Sequence, residues 1–143
     1  MANTVAVTKL VEGPRSAYFH VYLKSDGGSG DLDGYTLLDP AVDFDPAQGG
    51  GGMRMSLRKV WYSFAGFDLL FKFDATTDFP IWVLSADAGA YEHCFDEFGG
   101  FQDRSGIDAS GKLLISTSGF TTTADQGSMV IKVNKTYKPY VAA

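Results

Sequence analysis

The chain has 143 residues, with 17 acidic against 12 basic side chains, a net charge of -5 and a single cysteine. That length fits one domain. The acidic balance works against a nucleic-acid ligand, whose phosphates need a basic surface, and the lone Cys94 excludes an intrachain disulfide, which fits synthesis in a reducing cytoplasm. Eleven Phe, seven Tyr, two Trp and 17 Gly favour short strands joined by tight turns. The expected class is therefore all-β, a two-sheet β-sandwich or flattened β-barrel with little or no helix.

Residues 1–14 read as an N-terminal arm or edge strand in which Val5 and Val7 alternate with small polar residues, Leu10 follows, and Gly13-Pro14 closes the segment. "MANTVAVTKLVEG" lacks a basic region followed by an apolar run, and no later stretch has the length of a membrane span, so neither a standard secretion signal nor a membrane partner is expected. Residues 15–140 form the domain proper. In "SAYFHVYLKSD", Ala17, Phe19, Val21 and Leu23 point one way and Tyr18, His20, Tyr22 and Lys24 the other. "DGGSGDLDG" reads as a mobile loop, and "YTLLDPAVDFDP" as a strand broken at Asp39-Pro40.

Gly49, Gly50, Gly51 and Gly52 make a flexible loop near 47–53. "MRMSLRKVWYSFAGFDLLFKFD" then gives strands over 53–64 and 67–74, expected to form a hairpin through Ala65-Gly66. "FPIWVLSA" is a further strand placed at an edge or bulge by Pro80. "YEHCFDEFGGF" carries helical spacing of its aromatics, yet its aromatic density and Gly-Gly stop favour a strand. "KLLISTS" and "SMVIKVNKTY" close the chain, the latter turning Met129, Ile131 and Val133 inward.

Gly106 and Gly111-Lys112 have the spacing of a phosphate loop, but Leu113 stands where a magnesium-binding hydroxyl is needed, and "LLISTSG" reads as a strand rather than the required helix. Counted from Asp31, the sixth and twelfth positions of an EF-hand loop hold Thr36 and Val42 instead of Gly and Glu, so Asp26 to Gly34 reads as a solvated turn. His93 and Cys94 face opposite sides of a strand and cannot share a metal, and Cys94 is expected to be buried. No nucleophile elbow is present. The acids Asp39, Asp43, Asp45, Asp68 and Asp74 read as a solvated face rather than a glycosidase pair. No catalytic, cofactor or metal residue is assigned, and the chain is expected not to be an enzyme.

What stands out is apolar character on both faces of several strands: Val60 and Tyr62 oppose Trp61, and Ile81 and Val83 oppose Trp82 and Leu84. A small sandwich has two inward faces, so the outward residues need cover from loops or from another chain. The stretch "SLRKVWYSFAGFDLLFKFDATTDFPIWVLS", then "FGGFQDRSG", "GKLLISTSGF" and "SMVIKVNK", covering residues 55 to 136, resembles small virion structural proteins of tailed bacteriophages. The corresponding parts are Phe67 to Asp74, Gly99-Gly100, Gly111 to Thr117 and Met129 to Lys135. The resemblance implies a capsid decoration or cement protein, with a head-tail connector or tail component as the alternative, made in the host cytoplasm and ending in the virion. Its partners would be the major capsid protein or another virion protein and further copies of itself, as a trimer or dimer. The expected interface residues are Val5, Val7, Leu10, Gly49 to Gly52, Trp61 and Trp82. A sugar-binding module, with Trp61 and Trp82 stacking on rings, is the other class to weigh.

Overall fold

The computed structural model describes residues 2–13, 15–39, 43, 53–74, 78–86, 92–98, 100–102 and 111–137. The glycine run Gly49 to Gly52, and the first part of the phosphate-loop spacing, lie outside them. The fold is a β-sandwich of two antiparallel sheets. Its strands are β1 (Thr4–Glu12), β2 (Ser16–Lys24), β3 (Tyr35–Leu38), β4 (Met53–Ala65), β5 (Asp68–Phe73), β6 (Phe79–Leu84), β7 (Glu92–Cys94), β8 (Phe101–Gln102), β9 (Leu113–Ser118) and β10 (Gln126–Tyr137). Sheet A runs β1-β2-β10-β4, with β7 and β8 following one another along the far edge of β4; sheet B runs β3-β9-β5-β6.

The period-two patterns become the core. Ala17, Phe19, Val21 and Leu23 of β2, Met129, Ile131 and Val133 of β10, and Met55, Leu57, Val60 and Tyr62 of β4 meet Leu69, Phe71 and Phe73 of β5 and Leu113 and Ile115 of β9, all buried. On β4 the run of inward residues changes phase between Leu57 and Val60, because the pairing with β10 slips between Lys132 and Val133. That bulge lets one 13-residue strand keep apolar residues inward from Met55 to Tyr62.

Ala65-Gly66 does not form the expected hairpin: β4 belongs to sheet A and β5 to sheet B, so the chain crosses between the layers there. Gly66 makes the corner with φ 86°, Phe67 drops into the core against Phe64 and Phe120, and burying that ring outweighs local strand pairing. The segment expected to be one strand near residue 95 is instead β7, a single 3-10 turn at Asp96–Phe98, and β8. Phe95 accounts for the break, since its ring is buried against Trp82 and Phe101 and its N–H is spent on the Arg58 carbonyl.

The acidic linker between β2 and β3 is tied down rather than mobile. Asn3 donates from Nδ2 to the Gly30 carbonyl (2.8 Å) and accepts the Asp26 N–H (3.0 Å). Asp31 accepts the Phe120 N–H at 2.8 Å, and Leu32 donates to Thr117 Oγ1 at 2.8 Å. Asp26 caps its own turn, accepting the N–H groups of Gly28 and Ser29 and the Ser29 hydroxyl, and these bonds hold its pKa down at about 2. Asp125 accepts the Thr121 and Thr122 N–H groups, which lower its pKa too. Both groups stay ionised in the fold below the pH at which the unfolded chain binds protons; for Asp26 the stabilisation is complete above about pH 5 and is lost as pH falls through about 2, and Asp125 acts in the same direction. The melting temperature is expected to fall across that window, and Asp26→Asn to flatten the fall. Parallel profiles for the two proteins would refute the assignment.

Candidate functional site

A β-sandwich has four sheet edges, and each offers unpaired backbone N–H and C=O groups to any passing strand unless something blunts it. In sheet B, β6 carries Pro80 and a bulge at Ile81, and β3 has four residues with a bulge between Thr36 and Leu38. On the far edge of sheet A, β7 and β8 have three and two residues and are interrupted by the 3-10 turn. β1 differs: it is nine residues long, free of proline, and regularly paired with β2 from Thr4 to Lys9 before a bulge at Leu10. The segment expected as a docking arm is thus the hydrogen-bonded edge strand of sheet A, already ordered within the fold.

Its side chains divide by register. Val5, Val7 and Lys9 stand opposite the core residues Leu23, Val21 and Phe19, so they share the inner face of the sheet; Thr4, Ala6 and Thr8 lie on the outer face. Val5 packs against the core. Val7 is 37% exposed although it faces inward, and Leu10 and Val11 are 51% and 62% exposed. Sheet A is five strand positions wide and sheet B four, so β1 overhangs its partner layer. Past the bulge, Glu12 ties the strand down through Lys9 (2.6 Å) and the buried Lys135 (2.5 Å).

Beside the start of β1, Val5, Asp31, Leu32, Asp33 and Tyr35 line an open concavity of about 380 Å³, the Asp31 carboxylate being engaged by the Phe120 N–H and the Thr117 hydroxyl. Asp33 is 93% exposed, with Lys72 at 3.6 Å and the Ser116 hydroxyl at 3.4 Å from its carboxylate.

The two tryptophans are placed differently. Trp61 lies on the outer face of sheet A, its ring stacked on Tyr18 at 6.4 Å and covered by the Lys59 ammonium at 4.7 Å. Glu92 accepts from Lys59 at 2.8 Å and raises its pKa. Trp82 turns toward the interior at the opposite flank, closing the gap between the sheets against His93, Phe95 and Phe101 at 5.2 to 5.7 Å. The structure therefore brings Val5, Val7 and Leu10 together on one edge and leaves Trp61 and Trp82 away from it, on a sheet face and on the far flank.

Cys94 is exposed, contrary to expectation, because it faces outward from an edge strand that nothing covers among the described residues. His20 lies on the outer face of sheet A and His93 on its inner side, stacked on Tyr62 at 5.6 Å. Among the described residues no group of three or more His, Cys, Asp or Glu side chains is placed to hold a metal ion, and addition of EDTA is expected to leave the melting temperature unchanged. Lys112 leads directly into strand β9, so no helix N-terminus faces a phosphate there. Of the carboxylates weighed as a pair, Asp43 accepts the Asp39 N–H and Asp68 the Ala86 N–H, while Asp45 lies outside the described residues. Among the described residues no helix is long and apolar enough to cross a membrane.

Sequence reasoning marked Val5, Val7 and Leu10, weighed Asp31 and Asp33 only as calcium ligands and read them as a solvated turn, and passed over Tyr35; their approach to β1 depends on how the β2–β3 connection folds back. Comparison with protein families and with curated proteins finds no match to this chain in either.

Proposed function

We propose that this chain is a non-enzymatic virion structural protein, a decoration or cement protein on the outer surface of a tailed-phage capsid, assembled there through strand addition at β1. The observation that carries the proposal is the contrast among the sheet edges: three are blunted by proline, bulges or brevity, and the fourth is long and regular over Thr4 to Lys9, with Val5 and Val7 on its inner face. An edge of this kind invites a partner strand, with main-chain hydrogen bonds supplying affinity and alternate side chains supplying register. The resemblance of residues 55 to 136 to phage virion proteins supplies the setting. A head-tail connector or tail component would use the same edge, and separation of heads from tails before the assay distinguishes these placements.

The sugar-binding alternative has less support, since Lys59 covers the ring face of Trp61 and Trp82, though 37% exposed, packs against His93, Phe95 and Phe101 on the far flank, away from Trp61.

The test is co-sedimentation with the virion of the genome that encodes the chain. The intact protein is expected to pellet with heads, and Val7→Asp, altered on the overhanging part of β1, to lose at least about tenfold in retention while keeping its melting temperature within a few degrees. Failure of the intact protein to bind heads or tails would overturn the proposal.

A further inference from the structure

The overhang of β1 specifies what can pair with it. A strand added beside Thr4–Lys9 continues sheet A, and its inner-face side chains lie over the space that sheet B leaves uncovered. At the start of β1 that space is the concavity lined by Val5, Leu32 and Tyr35 and bordered by Asp31 and Asp33. The matching strand has apolar residues on its inner face and a cation at the position that reaches this concavity. It also needs small residues on the outer face, where Ala6 and Thr8 sit beside Tyr22 and His20.

β1 itself is such a strand. Its inner-face series is Val5, Val7, Lys9, and its outer-face series Thr4, Ala6, Thr8. Laid antiparallel beside a second β1 about a two-fold axis through Val7, it sets Val7 opposite Val7, Lys9 opposite Val5, Thr8 opposite Ala6 and Leu10 opposite Thr4. The register ends where the bulge begins, so the irregular half of the strand limits the overlap and does not obstruct it. The alternation of faces is preserved, because a two-fold axis perpendicular to the sheet keeps opposed residues on the same side. Lys9 of each copy then comes beside the concavity of the other, where Asp33 is exposed at the border. On leaving Glu12 it leaves that carboxylate with Lys135 still bound at 2.5 Å.

We propose that this chain forms an isologous dimer by antiparallel pairing of β1 with β1 about Val7, Lys9 of each copy pairing with the exposed Asp33 of the other. The inference rests on the reading of β1 as a strand-addition edge and names its occupant as a second copy of the chain. The five strand positions of sheet A in each copy join into one continuous sheet. Pairing removes the long unprotected edge that would otherwise favour aggregation.

Two experiments on the full chain test the proposal. In sedimentation velocity at tens of micromolar the protein is expected to run as a dimer. Asp33→Lys is expected to raise the dissociation constant at least about tenfold, and Lys9→Asp combined with Asp33→Lys to recover most of that loss. Directly opposed residues of an antiparallel pair have Cα atoms about 4.5–5.5 Å apart, within disulfide reach. Val7→Cys in a Cys94→Ser background is therefore expected to oxidise to a covalent dimer, and Thr8→Cys in the same background, offset by two positions from its own copy, to remain reduced. A monomer at these concentrations, or cross-linking through position 8 and not 7, overturns the pairing. A monomer that still pellets with heads overturns the pairing and leaves the virion reading standing, whereas a dimer linked through position 7 that binds no virion part upholds the pairing and overturns the virion reading.

Discussion

Replacing Glu12 by alanine is expected to lower the unfolding free energy by about 3 kcal/mol, near the bottom of the range for breaking a buried ion pair, and the melting temperature by roughly 10 °C for a chain of this size. Glu12 sits on the inner face of sheet A opposite Ala17 and holds both Lys9 and Lys135. The Lys135 side chain is only 3% exposed, so removing the carboxylate takes away the charge that compensates a desolvated ammonium. The partial exposure of Glu12 places the cost at the low end. The double change Glu12→Leu with Lys135→Met is expected to recover most of the loss, since two apolar groups of similar size need no compensation. Urea unfolding at constant m-value checks both, and a loss below about 1 kcal/mol for Glu12→Ala would show that solvent already screens the pair.

Gly66→Ala is expected to cost at least about 2 kcal/mol, because a left-handed backbone alone disfavours a side chain by about 1–2 kcal/mol. Gly66 has φ 86° at the corner where the chain leaves sheet A for sheet B. A Cβ there would collide with the Asp125 carboxylate, which caps the Thr121 and Thr122 N–H groups at 2.8 Å, so the alanine variant has both backbone strain and a displaced cap. Gly28→Ala is the control: a Cβ at Gly28 meets nothing within 4 Å and its φ is not in the left-handed region, so its melting curve is expected to overlay that of the parent. Equal thermal stability of the two variants would refute the account of the corner.

The outcome at Gly66 shows where reading a sequence reaches its limit. An Ala-Gly step between two alternating runs carries the signal of a hairpin, and nothing in the neighbouring residues says otherwise. The decision belongs to Phe67 and Phe120, more than 50 residues apart in the chain and 4.8 Å between ring centroids in the fold, and to Asp125, which occupies the space beside the glycine. The loop from Asp26 to Gly34 is a similar case. Its turn residues were legible, but Asn3, Thr117 and Phe120 hold it in place, and none of them is local. Cys94 was misjudged because small apolar residues are usually buried, whereas the alternation of β7, which puts His93 inward, places it on an uncovered outer face.

Alternation alone sufficed to assign the all-β class and the inward sets of β2, β5 and β10, because the pleat turns every second side chain to the same face whatever the neighbouring strand. Pro80 and Asp39-Pro40 likewise marked an edge and a strand end through the missing backbone donor. The order of strands is different in kind. Tyr22 donates to Gln126 across 104 residues of chain, and only that nonlocal pairing of β2 with β10 leaves β1 at the edge of sheet A. Whether Val5, Val7 and Lys9 form part of an interior, a free arm or an overhanging strand depended on the relative widths of the two sheets and on where the β2–β3 connection came to rest. Side-chain period specifies a face; the neighbour across that face, and therefore which strand is left at the edge, is chosen by contacts that exist only once the chain has folded.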